Sequence, residues 1–157
     1  MVQVIETSPS GAGKRIAIAV SRFNEVVSAR LLQGATRALL SQGTAESDII
    51  VVWVPGSFEL PLTCKWLADS GEFDAVVALG NVIRGATSHY EHVCNQAARG
   101  ILDTGLATSV PIAFGVLTCE TLDQALQRAG STSGNKGADV AMAALEMISV
   151  KHRIDAV

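Results

Sequence analysis

Aromatic side chains make up only 4% of this 157-residue chain and charged ones only 17%. A formal charge of −3 leaves no basic excess of the kind nucleic acid or an anionic membrane surface demands. Neither is expected as a partner, and any phosphate site must be local. Long hydrophobic runs are missing as well. Runs such as Ile49 to Val54 and Ala75 to Leu79 fall far short of the roughly 20 residues that cross a bilayer. Cysteine is scarce and odd in number: Cys64, Cys94 and Cys119 sit apart in apolar contexts, which favours small buried thiols over a disulfide framework. Met1 to Lys14 carries neither an apolar signal core nor the Arg-rich character of a transit peptide. A cytoplasmic location is expected, and a plastid protein freed of its transit peptide would read the same way.

What the chain does have is apolar residues, 48% of the total, enough to offset chain entropy in one domain spanning 1–157 with 1–14 as an extended arm. Short apolar runs alternate with helical periodicity. Arg15 to Val20 reads as a strand, followed by a polar loop. From Glu25 to Ser41 the residues Val27, Leu31, Ala35, Ala38 and Leu39 recur at three- and four-residue spacing, with Gly43 placed to stop the helix. Asp48 to Val54, Asp74 to Gly80 and Pro111 to Leu117 are the remaining strands. Helices are expected at Leu60 to Ser70, after Arg84-Gly85-Ala86, up to Ala129, and from Ala138 to Ile154. In the third, Tyr90, Val93, Cys94, Ala97, Ala98 and Ile101 face inward. Ser88 with Glu91 and Thr121 with Gln124 match capping boxes, and Gly130 to Gly137 reads as a polar turn. This pattern predicts a three-layer α/β/α sandwich on a central four-stranded parallel sheet with both faces covered, a flavodoxin-like topology.

In such sheets ligands bind at the carboxyl edge, and the unusual clusters all follow predicted strands. Ser57-Phe58-Glu59 suits the hydroxyls of a polyol, or makes an ordinary turn with an acid at a helix N-terminus. Arg84 to Thr87 combines a cation, small residues and a hydroxyl at a helix start, which suits a phosphate or simply caps the helix. His89 lies in the first helical turn, where an imidazole can shuttle a proton or stand as a surface residue. His92 lies three residues on, not the four of a zinc helix, and no acidic or cysteine set completes a metal site. Phe23, in a polar loop, could stack on a planar heterocycle or plug the sheet end. Phe114 reads as core, and Arg128 and Lys136 read as solvated charges or as a second cationic arm. Cys94 and Cys119 have no local base and read as structural thiols. Ser21-Arg22 stands where a phospho-acceptor receiver domain would need paired acids.

Six segments, RFNE (22–25), VPGSFELP (54–61), GNVIRGATSHYEHV (80–93), FGVLT (114–118), QALQRAG (124–130) and GNKGAD (134–139), closely resemble the lumazine synthase family in order and spacing. The resemblance runs from about Lys14 to Val150. It implies a transferase of riboflavin biosynthesis that condenses 5-amino-6-(D-ribitylamino)uracil with 3,4-dihydroxy-2-butanone 4-phosphate, without metal or organic cofactor. It further implies that Phe23 stacks on the pyrimidine, Ser57, Phe58 and Glu59 hold the ribityl chain, and the Asn81-Val82-Ile83 backbone reads the ring edge. Ala86 and Thr87 would serve the phosphate-bearing substrate with Arg128 as principal cation, Lys136 as a weaker carry-over, and His89 as the proton-transfer residue. Phe114 and Arg128 would act from an adjacent subunit of a homo-oligomer. Pentamers, pairs of pentamers and sixty-subunit icosahedral capsids all occur in the family, and riboflavin synthase is raised as a partner. Two other readings keep the same rim, a non-catalytic binder of flavin-like or pterin-like ligands and a mainly structural shell protein.

Overall fold

The computed structural model of this chain describes residues 1–130 and 134–157. Within them strands and helices alternate as β1 (Ile16–Ser21), α1 (Glu25–Ser41), β2 (Ile49–Val54), α2 (Leu60–Asp69), β3 (Ala75–Ile83), α3 (His89–Thr108), β4 (Ile112–Cys119), α4 (Leu122–Arg128) and α5 (Lys136–Asp155). All neighbouring strands pair in parallel, in the order β2-β1-β3-β4. This is the expected three-layer, flavodoxin-like arrangement. Residues 1–10 join no helix or strand, and Gly11 N–H ties the segment to Gln42 C=O at 2.8 Å.

Strand alternation divides the core in two. Ile16, Ile18, Val20, Val77 and Leu79 face α1 and α5, where Val27, Leu31, Ala144 and Leu145 meet them. Ala17, Ala19, Val76 and Ala78 face α2 and α3, against Leu60, Cys64 and Ile101. Each of these large aliphatic side chains contributes about 1.5–3 kcal/mol by leaving water. Two glycines set how closely the helices approach. A Cβ on Gly137 would strike the Leu31 carbonyl where α5 crosses α1, and one on Gly100 would sit 2.7 Å from the Pro61 ring where α3 meets α2. Pro61 is tolerated because it lies in the first turn of α2, where its missing N–H is not needed.

Several expectations shift. β3 continues to Ile83 instead of ending at Gly80, because its ladder with β4 extends through Asn81, Val82 and Ile83. The sheet is not covered everywhere, since Ile50 and Val51 on edge strand β2 are exposed. Ala98 is exposed, not inward. Ser88 makes no cap bond with its side chain, because its backbone is already helical at φ −69 and ψ −2, and the Glu91 side chain turns to Arg84. The second box forms with a one-residue offset: Thr121 Oγ1 accepts from Gln124 N–H at 3.2 Å, and Gln124 Oε1 accepts from Glu120 N–H at 2.9 Å. α5 begins at Lys136, capped by Asn135, whose Oδ1 accepts from Ala138 N–H. Of the polar turn read over 130–137, residues 131–133 lie outside the described residues.

Candidate functional site

The strand order reverses between β1 and β3, so the loops leaving these strands part to opposite faces and open a crevice at their carboxyl ends. A cavity of about 820 Å³ occupies it. The loops after β1, β2 and β3 all contribute. From the first comes Phe23, its ring 61% exposed, held through its backbone N–H to Pro55 C=O at 3.1 Å. Arg22 N–H fixes the same loop to Val54 C=O at 2.7 Å. The second loop supplies Pro55, Gly56, Ser57, Phe58 and Glu59, and the third brings Gly85, Thr87, His89, Tyr90, His92 and Val93 around Val82 and Ile83.

Ser57, Phe58 and Glu59 form a single 3-10 turn ahead of α2. Ser57 Oγ is buried without a hydrogen-bond partner among the described residues, as is Ser21 Oγ. Both hydroxyls lie over Gly80, where an added Cβ would come within 2.5 Å of Ser21 Oγ and 2.9 Å of Ser57 Oγ. The missing side chain at 80 therefore makes room for both hydroxyls. An unpaired buried hydroxyl costs about 1–3 kcal/mol, so Ser57, which lines the cavity, favours a ligand or water that hydrogen-bonds to it. The Glu59 carboxylate makes no ion pair among the described residues, which leaves it open to donors in the cavity.

His89 is the first residue of α3, exposed to the cavity, and its backbone N–H reaches Thr87 Oγ1 at 3.3 Å. The turn beneath it is anchored by Arg84. That guanidinium pairs with Glu91, bonds Glu120 Oε2 through Nε at 2.7 Å, and stacks 4.3 Å from the Tyr90 ring centroid. The hydrogen bonds it donates, first to Glu91 and then to Glu120, raise its pKa further, and the bond accepted from Arg84 lowers that of Glu91. Arg84 is thus already paired with two acids, which disfavours its side chain as the phosphate cation. Its work is to fasten the start of α3 to the ends of β3 and β4.

Burial raises the thiols of Cys94 and Cys119 and pushes Cys64 up to about 12, so none is primed as a nucleophile near neutral pH. Among the described residues no three His, Cys, Asp or Glu side chains gather as a metal set. A second hollow of about 600 Å³ between α1 and the start of α5 has Arg30 and Arg37 in its lining but no acid, imidazole or aromatic among the described residues.

The structure thus brings together Phe23, Ser57, Phe58, Glu59, Val82, Ile83, Thr87 and His89 from the expected set. Ala86 stands exposed between two lining residues without lining the cavity itself. Asn81 is 1% exposed and faces α1, away from the cavity. Phe114, Arg128 and Lys136 are elsewhere. Phe114 lies on edge strand β4, exposed beside Val140 and Met147, which corrects its reading as core. Arg128 and Lys136 share a hollow of about 300 Å³ with Thr118, Cys119 and Asp139. Pro55, Tyr90 and Val93 were not singled out as site residues. Val93 carries the signal that could have found it, because it stands four residues from His89 on the same face of α3.

Residues 13–152 match the family model described as 6,7-dimethyl-8-ribityllumazine synthase.

Proposed function

The chain belongs to the 6,7-dimethyl-8-ribityllumazine synthase family, and from that premise we propose that it condenses 5-amino-6-(D-ribitylamino)uracil with 3,4-dihydroxy-2-butanone 4-phosphate. The products are 6,7-dimethyl-8-ribityllumazine, inorganic phosphate and water, the penultimate step of riboflavin biosynthesis. One observation carries the reading: a single cavity gathers an exposed aromatic ring, an unpaired serine hydroxyl with an open acid, and an imidazole at a helix start.

Phe23 offers its face to the pyrimidine, and Glu59 with the Ser57 hydroxyl accepts and donates hydrogen bonds along the ribityl chain. The amine of the uracil attacks the ketone, water leaves to give an imine, elimination expels phosphate, and the second nitrogen closes the ring with loss of water. Every stage moves a proton. His89, beside Thr87 at the cavity wall, is placed to relay protons between the two reactants. Holding both reactants in one cleft supplies much of the acceleration by itself.

The butanone phosphate needs cations, and among the described residues no Lys or Arg lines the cavity. We assign that task to Arg128 and Lys136 of an adjacent copy in a homo-oligomer, with Phe114 closing the same seam. A mixing assay tests the whole reading. Purified protein with both substrates should form the fluorescent lumazine far faster than a protein-free control, and omission of either substrate should abolish it. A folded, assembled protein no faster than the control would leave a flavin-type binder as the better account.

A further inference from the structure

We propose that Asn81 is a positioning residue that sets the aromatic wall of the cavity, an inference that rests on the condensation reading above. Its carboxamide is buried within the sheet, between β3 and the start of α1. Nδ2 lies 3.2 Å from Phe23 C=O, 3.3 Å from Asn24 C=O and 3.0 Å from Ser28 Oγ. Two carbonyls face this atom, so it must be the donor nitrogen; a flipped amide would set oxygen against oxygen. One side chain thus gathers the last residue of the β1 loop, the residue before α1 and the first turn of that helix.

The turn it holds needs holding. Asn24 has φ 53 and ψ 57, the left-handed region that residues with a Cβ seldom adopt, and its own side chain makes no cap bond. Phe23 immediately precedes it. Because that ring is largely exposed, the backbone of the turn sets its angle over the cavity more than packing does. Val82 and Ile83, the next residues of β3, line the same cavity, so Asn81 ties the Phe23 turn to the strand that lines it. Oδ1 has no partner among the described residues, and the donor end alone carries the role.

The isosteric Asn81→Asp turns a donor into an acceptor against two carbonyls, and Asn81→Ser removes the reach without adding charge. Both variants and the parent protein would be titrated with 6,7-dimethyl-8-ribityllumazine by fluorescence, with KM for each substrate measured alongside. Circular dichroism and sizing would check fold and assembly. Lumazine affinity and the KM for the uracil are expected to worsen roughly tenfold in each folded variant, the loss of about one buried hydrogen bond, while the KM for the butanone phosphate stays within about twofold. Lumazine binding within twofold of the parent in a folded variant would overturn the proposal. So would an equal loss for both substrates, or failure of both variants to fold, since either makes Asn81 a general support of the sheet. If the parent protein itself binds no lumazine, the condensation reading falls instead.

Discussion

At the carboxyl ends of β1, β2 and β3 the chain encloses a cavity with an aromatic wall, an acid and an imidazole. At the β4 edge it instead exposes a phenylalanine and two cations over shallow hollows. The two regions share no lining residue. Each also lacks what the other has, since among the described residues no Lys or Arg lines the cavity and no His lines the hollows of the β4 edge. The difference teaches that aromatic, acid and imidazole groups are kept apart from the cations of the β4 edge. On the condensation proposed above, the phosphate-bearing reactant would need the cations and proton transfer the imidazole, so a complete site would take a cavity from one copy and a β4 edge from another.

The sharpest way to separate the halves is to damage them singly. His89→Ala should lower kcat by about 10²-fold with both KM values little changed, leaving residual turnover from the positioning of reactants. Steady-state kinetics of the folded variant decide it, and complete loss of activity would contradict the division of labour. Arg128→Ala comes next in size. It should raise the KM for the butanone phosphate about tenfold or more, the worth of a charge-assisted hydrogen bond, and leave the KM for the uracil close to its original value. Arg84→Gln, by contrast, removes a cation much nearer the cavity and should change the phosphate KM by no more than about twofold, since exposed pairs with Glu91 and Glu120 already occupy it. A tenfold rise there would mean that Arg84, not the β4 edge, binds the phosphate.

The smallest effect concerns pH. Glu91 is held below its ordinary value of 4.5 by Arg84 in the folded chain. Its contribution to stability is therefore complete above 4.5 and is lost as pH falls through the lowered value. Glu91→Gln should flatten part of the acid limb of Tm against pH while leaving Tm near neutrality little changed. Identical acid limbs in variant and parent would remove Arg84 and Glu91 as the fastening of α3.

Most of this fold was legible because its strands are apolar runs and its helices keep strict period. α1 ran from Glu25 to Ser41 as its spacing predicts, ended by Gly43 at φ 96. β3 was read three residues short because Asn81 interrupts the apolar run. Only the tertiary contact with Phe23, Asn24 and Ser28 explains how a polar side chain stays in the middle of a sheet. Arg84 misled for a related reason: a cation among small residues at a helix start looks like a phosphate site, and its neutralising partner Glu120 lies 36 residues away in sequence. Ser88 and Glu91 had the spacing of a capping box, yet Glu91 found a stronger partner in Arg84. The motif segments named the right family and implied that Phe114 and Arg128 act away from their own chain's cavity, whereas the position of Lys136 beside Arg128 emerges only from the folded chain.

Mixing the two damaged halves tests the central claim most directly. His89→Ala and Arg128→Ala chains, each nearly inactive at low butanone phosphate, would be co-expressed, purified as one assembly and assayed. If sites form between copies, random pairing joins an intact cavity to an intact β4 edge in about a quarter of them, and activity should climb to about that fraction of the parent protein's. Activity no higher than the average of the two variants alone would show that each copy works by itself, and the half-site account would be wrong.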